Sequence, residues 1–155
     1  MSDRHLFDPV RGKDVRALPE ERVRRQLVDW LIAAVGVPPR LIAVEFSLSR
    51  LDPASRRRAD VVVWRPGRTH AGGAPEGAAS APAGPAGLMG LSPWLLAECK
   101  APGVALGESV ADQVRGYAAD IRAEYVLVTN GADTRIFRLA DERYEIAPGL
   151  PVYPS

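Results

Sequence analysis

The 155-residue chain holds one cysteine, Cys99. A single thiol excludes an internal disulfide and a multi-cysteine zinc site. Histidine is nearly as scarce: His5 and His70 lack any paired ligand spacing and read as bystanders. No apolar run reaches the roughly 20 residues of a membrane span. The opening MSDRHLFDPV has no apolar signal region, so a cytoplasmic protein with no membrane association is expected. Lysine is the last shortage: of 20 basic residues, only Lys13 and Lys100 are lysine. Arginine stays protonated, whereas surroundings can tune a lysine. Lys100 therefore stands out.

What is present is ordinary in bulk. A hydrophobic content of 46% and a charged content of 25% suit one soluble globular domain with a real core. The net charge of +1 hides an asymmetry: residues 1–68 carry 14 basic and 9 acidic side chains, whereas 69–155 carry 6 and 10. A basic first half could face a polyanion, though composition alone favours a solvated charged face.

Residues 1–17 are polar and mixed in charge, and a flexible arm is expected there. In LPEERVRRQLVDWLIAAVGVPP, Val23, Leu27, Trp30, Leu31 and Ala34 recur at helical spacing. Pro19, Glu20 and Glu21 suit the start of that helix, and Gly36 and Pro38 its end. RLIAVEFSLSR and RRRADVVVWRP read as two strands of an antiparallel pair joined by the turn LDPAS. Residues 67–92 are dominated by Gly, Ala, Pro and Ser, and a disordered insertion is expected. PWLLAECKAP is a third strand, GESVADQVRGYAADIRA a second helix and EYVLVTNG a buried strand. Asn130-Gly131 signals a tight turn, and DTRIFRLADERYEIAP closes with one or two short strands. The crossover helix implies that the third and fourth strands run parallel.

Chemistry gathers on the third strand. Alternation puts Glu98 and Lys100 on one face and Cys99 on the other, where Cys99 reads as a small core residue. Charges on a strand of Trp94, Leu95, Leu96 and Ala97 need pairing or a metal. If the second and third strands pair, Asp60 approaches Glu98. Two facing carboxylates repel unless a divalent cation bridges them, and Mg²⁺ favours a few carboxylates with water and phosphate oxygens. Lys100 could then orient or deprotonate a water, or stabilise charge on the phosphate. The run Arg56, Arg57 and Arg58 could hold phosphates beside this centre, or be a solvated turn.

In this order, PEERVRRQL, RRADVVVW, LLAECKAP, DQVRGY and YVLVTNG resemble the N-terminal nuclease domain of type I restriction enzyme R subunits, within the PD-(D/E)XK nuclease superfamily. The resemblance runs from about Leu18 to Pro154, so 18–155 is expected to be one nuclease-like domain. It implies a restriction-endonuclease-like α/β fold with an αβββαβ core, a mixed sheet flanked by helices and a short C-terminal β extension. It implies Asp60 and Glu98 as ligands of Mg²⁺ or Mn²⁺, the Cys99 backbone carbonyl as a further ligand, and Lys100 as the catalytic lysine. The supporting acid of the first helix would be Glu20 or Glu21, with Glu20 preferred. Gln113 and Tyr117 resemble a Gln-x-x-x-Tyr element of related nucleases, although Tyr117 is as readily a core tyrosine. Ala59 stands where the superfamily's name has proline, a variation this family tolerates. R subunits carry an ATP-driven motor, but no Gly-rich Lys-Ser/Thr phosphate loop appears in this sequence. A DNA endonuclease-like domain is expected, with DNA as partner and a possible separately encoded motor or helicase subunit. The alternative is a non-catalytic nucleic-acid-binding or partner-interaction module of the same fold.

Overall fold

The computed structural model describes residues 5–51, 53–67 and 90–154, and only the backbone of 117–120. Most of the expected insertion, and His70 with it, therefore lies outside the described residues. Helix α1 (Pro19–Trp30) begins with proline and two acids in its first turn, where a fixed φ and negative charge both favour a helix start. Its inward face carries Val23, Arg24, Leu27 and Val28. The helix then widens into a π turn, Leu31–Val35, and stops at Gly36 with φ +85°. Trp30 is 41% exposed, and Ala34 is also exposed. Of the expected stripe Val23, Leu27 and Leu31 are buried, and the row then continues through Val35 rather than Ala34, because the π turn shifts the phase of the residues in it.

Six strands form one sheet in chain order: β3 (Ile42–Ser47), β4 (Arg58–Pro66), β5 (Leu91–Cys99), β6 (Tyr125–Thr129), β7 (Thr134–Ala140) and β8 (Arg143–Ile146). Only β5 and β6 pair in parallel, joined through α2 (Glu108–Ile121); the other neighbours are antiparallel. Val61–Trp64 and Pro93–Ala97 are buried without alternation, because both sheet faces are covered. On the α1 side Val61, Val63, Leu95, Ala97 and Cys99 pack with Leu27 and Leu31. On the α2 side Val62, Leu96 and Val126 pack with Val114 and Ile121. Each such aliphatic side chain contributes about 1.5–3 kcal/mol when fully buried. The C-terminal segment is tied down by Tyr153, whose hydroxyl donates to the Trp64 carbonyl at 2.8 Å.

This is the expected restriction-endonuclease-like α/β architecture, a mixed central sheet with two helices and a short β tail. The N-terminal segment departs from expectation. Residues 5–16 form a hairpin of β1 (His5–Asp8) and β2 (Lys13–Arg16) rather than a loose arm. Asp8, buried, accepts the backbone N–H groups of Val10 at 2.8 Å and Arg11 at 3.0 Å, and Gly12 closes the turn at φ +63°. Backbone pairing and an aspartate turn order this segment, not apolar periodicity, so its polar composition misleads. Among the described residues no helix is long and apolar enough to cross a membrane.

Candidate active site

The site forms where the central strands part. The β4–β5 ladder includes Val61↔Ala97 and Val62↔Leu96, so the next residues, Asp60 and Glu98, face each other beyond its last pair. The Asp60 carboxylate fills the gap: its Oδ2 accepts the Cys99 backbone N–H at 2.7 Å. On the far side β5 stays tied to β6, with Cys99 opposite Thr129 and the Lys100 N–H donating to the Thr129 carbonyl at 2.8 Å. Lys100 thus lies just past the strand end, and its Nζ sits 3.4 Å from Glu98 Oε1. Asp60, Glu98 and Lys100 are brought together as their spacing predicts.

Glu98 is held in an awkward place. Its side chain is 14% exposed. Burial raises its pKa, the neighbouring Asp60 charge raises it further, and Lys100 offsets only part, leaving it at about 7. A second negative charge beside Asp60 is thus costly near neutral pH, and a cation would relieve that cost. Two oxygen donors at a partly exposed corner suit a hard divalent ion such as Mg²⁺, which completes its shell with water and phosphate. Among the described residues no group of three or more His, Cys, Asp or Glu side chains converges as a metal cluster. The side-chain donors are this carboxylate pair. The Cys99 thiol points to the α1-side core, and burial and the Asp60 charge push its pKa up.

Of the two helix acids, it is Glu21, not the preferred Glu20, that is tied to the arginines Arg24 and Arg11. Glu20 is exposed and its side chain makes no ion pair or hydrogen bond among the described residues. Glu21 forms an ion pair with Arg24 at 3.0 Å and accepts a hydrogen bond from Arg11 Nη2 at 3.5 Å. Both acids lie one turn before the buried Arg24, at i−4 and i−3, so periodicity does not separate them; the pairing of Glu21 with Arg24 and Arg11 does. Sequence reading missed Arg24, Glu45, Arg11 and Asp8. Arg24 is 7% exposed, and its Nη1 lies 3.2 Å from Glu45 Oε1. Arg11 pairs with Asp8 at 2.9 Å and approaches Glu45 at 3.8 Å. The available signal was an arginine on the helix's apolar face and a glutamate inside an apolar strand.

The remaining predicted residues lie further out. Arg56, Arg57 and Arg58 are exposed, and of these the Arg58 charge helps lower the Glu45 pKa, after Arg24 and Arg11. Gln113 is exposed on α2, beside the buried Val114. The Tyr117 side chain lies outside the described residues. Behind Lys100, the buried Asn130 clamps the loop: its Nδ2 donates to the Val104 carbonyl at 2.8 Å, and its Oδ1 accepts the Ala132 and Asp133 N–H groups. A cleft of about 710 Å³ lined by Arg115, Arg122 and Tyr144 includes none of the site residues. The family described as "Type I restriction enzyme R protein N terminus" matches residues 19–151. No curated protein matches the chain.

Proposed function

The chain belongs to the type I restriction enzyme R protein N-terminal family, and from that premise we propose that it is a DNA endonuclease domain that hydrolyses phosphodiester bonds with the help of a divalent cation. The family gives a restriction-system context and a nuclease-like domain. The observation that carries the finer reading is the convergence of Asp60, Glu98 and Lys100 where β4 and β5 separate.

Asp60 and Glu98, with the Cys99 backbone carbonyl, would hold Mg²⁺ or Mn²⁺. When bound, such an ion supplies charge neutralisation at phosphate oxygens and acidifies a water. The chain's own residues do the rest. The Cys99 N–H fixes the Asp60 carboxylate, so that group needs little reorganisation when it takes up its partner. Lys100, steered by Glu98, orients the attacking water or balances charge on the phosphate. The water oxygen bonds to phosphorus, the bond to the leaving oxygen breaks, and the displaced protons end on product oxygens. Glu21 supports the site through Arg24. Arg56, Arg57 and Arg58 hold flanking DNA phosphates. Gln113 is kept as an auxiliary polar group that would engage only with substrate bound. A motor or helicase supplied by another chain would bring DNA to the site.

The test is plasmid cleavage with Mg²⁺ or Mn²⁺, comparing the wild type with Asp60→Ala. Loss of cleavage in the variant supports the reading. Equal behaviour of the two proteins on several DNA substrates removes it, and binding without cleavage would leave a non-catalytic module.

A further inference from the structure

The site carries a second cation besides Lys100. Arg24 enters from the buried face of α1 and is held between two acids: Glu21 at 3.0 Å and Glu45 at 3.2 Å. It is also near enough to Asp60 that this carboxylate helps keep the guanidinium charged. Its hydrogen bonding is incomplete. Arg24 Nε and Nη1 are buried without an aligned acceptor, so the 3.2 Å approach of Nη1 to Glu45 is an ion pair rather than a hydrogen bond. A buried guanidinium with open donors pairs with whichever carboxylate it can reach.

Glu45 holds its position at a cost. It has φ +50°, a left-handed conformation that side chains other than glycine rarely adopt. The β3–β4 register brackets it: Val44 pairs with Val61 and Phe46 with Ala59, so Glu45 stands opposite Asp60. At that point the chain turns the Glu45 carboxylate toward Arg24 and Arg11. Backbone strain of this kind persists where the surrounding structure enforces it, and it collects at functional sites.

We propose that Glu45, with Glu21, is a positioning residue that restrains Arg24 and so keeps the Asp60 carboxylate free for a divalent cation. Without Glu45 the guanidinium, still held on one side by Glu21, turns its open donors toward Asp60, the acid opposite Glu45 in the β3–β4 register, and competes with the metal for it. The inference rests on reading Asp60 as a metal ligand, and it assigns a role to residues outside the Asp…Glu-x-Lys set.

The experiment is isothermal titration with Mn²⁺ alone, without DNA, on wild type, Glu45→Gln, Arg24→Met and the double variant. Glu45 is half-exposed, so Glu45→Gln removes the charge at little risk to folding. Glu45→Gln should bind Mn²⁺ about ten-fold more weakly. Arg24→Met should bind at least as tightly as wild type, and the double variant should return to within about three-fold of it. A merely structural Glu45 would make the double variant worse than either single one, which overturns the inference, as does wild-type affinity in Glu45→Gln. A crystal structure of metal-free Glu45→Gln gives a second readout. The Arg24 guanidinium within hydrogen-bond distance of Asp60 supports the inference; Arg24 resting on Glu21 alone overturns it. Absence of Mn²⁺ binding to the wild type would remove the metal reading of the site, and the position of Arg24 in that crystal would then decide the inference by itself.

Discussion

The Asp60 carboxylate and the Cys99 backbone N–H meet at 2.7 Å, across a gap where the two strands no longer pair. A side chain thus occupies the place of a ladder acceptor, and the same carboxylate is presented toward Glu98.

That bond makes Asp60 structural as well as functional. Asp60→Ala leaves a buried N–H without its acceptor, and a loss of about 1–3 kcal/mol is expected in urea denaturation without metal. Asp60→Asn keeps an oxygen acceptor and should lose less than about 1 kcal/mol while still failing to support cleavage. Equal destabilisation by the two substitutions would mean that the Cys99 contact carries no weight.

Glu98 predicts a pH dependence. Its folded-state pKa, about 7, lies above the ordinary value of 4.5. The folded protein therefore holds this proton more tightly than the unfolded chain does. Below about pH 4.5 the group is neutral in both states and costs nothing; between about pH 4.5 and 7 the metal-free protein loses stability from it, and above that the loss is constant. Thermal melts in chelator should show Glu98→Gln gaining on the wild type across this window. Parallel melting curves from pH 4 to 8 would contradict the assignment.

Asn130 ties the loop after Lys100 to the turn between β6 and β7: one hydrogen bond reaches Val104 and two close its own turn at Ala132 and Asp133. Asn130→Ala should cost about 1–2 kcal/mol in denaturant unfolding, because three part-buried hydrogen bonds are lost. Asn130→Asp restores the acceptor but sets a carboxylate against the Val104 carbonyl, and should be no better. A neutral Asn130→Ala would show that the turn from Thr129 to Asp133 holds without it.

The arginine run offers a test of the nucleic-acid face. If Arg56, Arg57 and Arg58 each neutralise one phosphate, replacing all three with alanine should flatten the slope of log affinity against log salt by up to about 3. Binding measured from low to moderate salt gives the slope directly. An unchanged slope would return these residues to the status of a solvated turn.

Much of this arrangement is written locally. The Val61–Val63 run marks a strand buried on both faces, and the alternation of β5 alone sends Glu98 and Lys100 to one side and Cys99 to the other. The crossover through α2 fixes β5 and β6 as parallel. Each of these depends on periods of two or 3.6 residues, which neighbours in the chain impose on one another. Other features have no such local signature. The hairpin of residues 5–16 is ordered by backbone pairing and by Asp8, which the composition of a polar segment does not reveal.

By itself, then, the sequence determined the order of elements from α1 onward, the family, and the expectation that Asp60, Glu98 and Lys100 meet. Only the tertiary structure decided that Glu21 rather than Glu20 turns to the arginines, that Arg24 is buried between Glu21 and Glu45, and that Glu45 takes a left-handed backbone to meet it. The physical reason is distance along the chain. Residues 11, 21, 24, 45 and 60 come from a hairpin turn, a helix and two strands, and their charges act on one another only after the core has closed and removed the water between them.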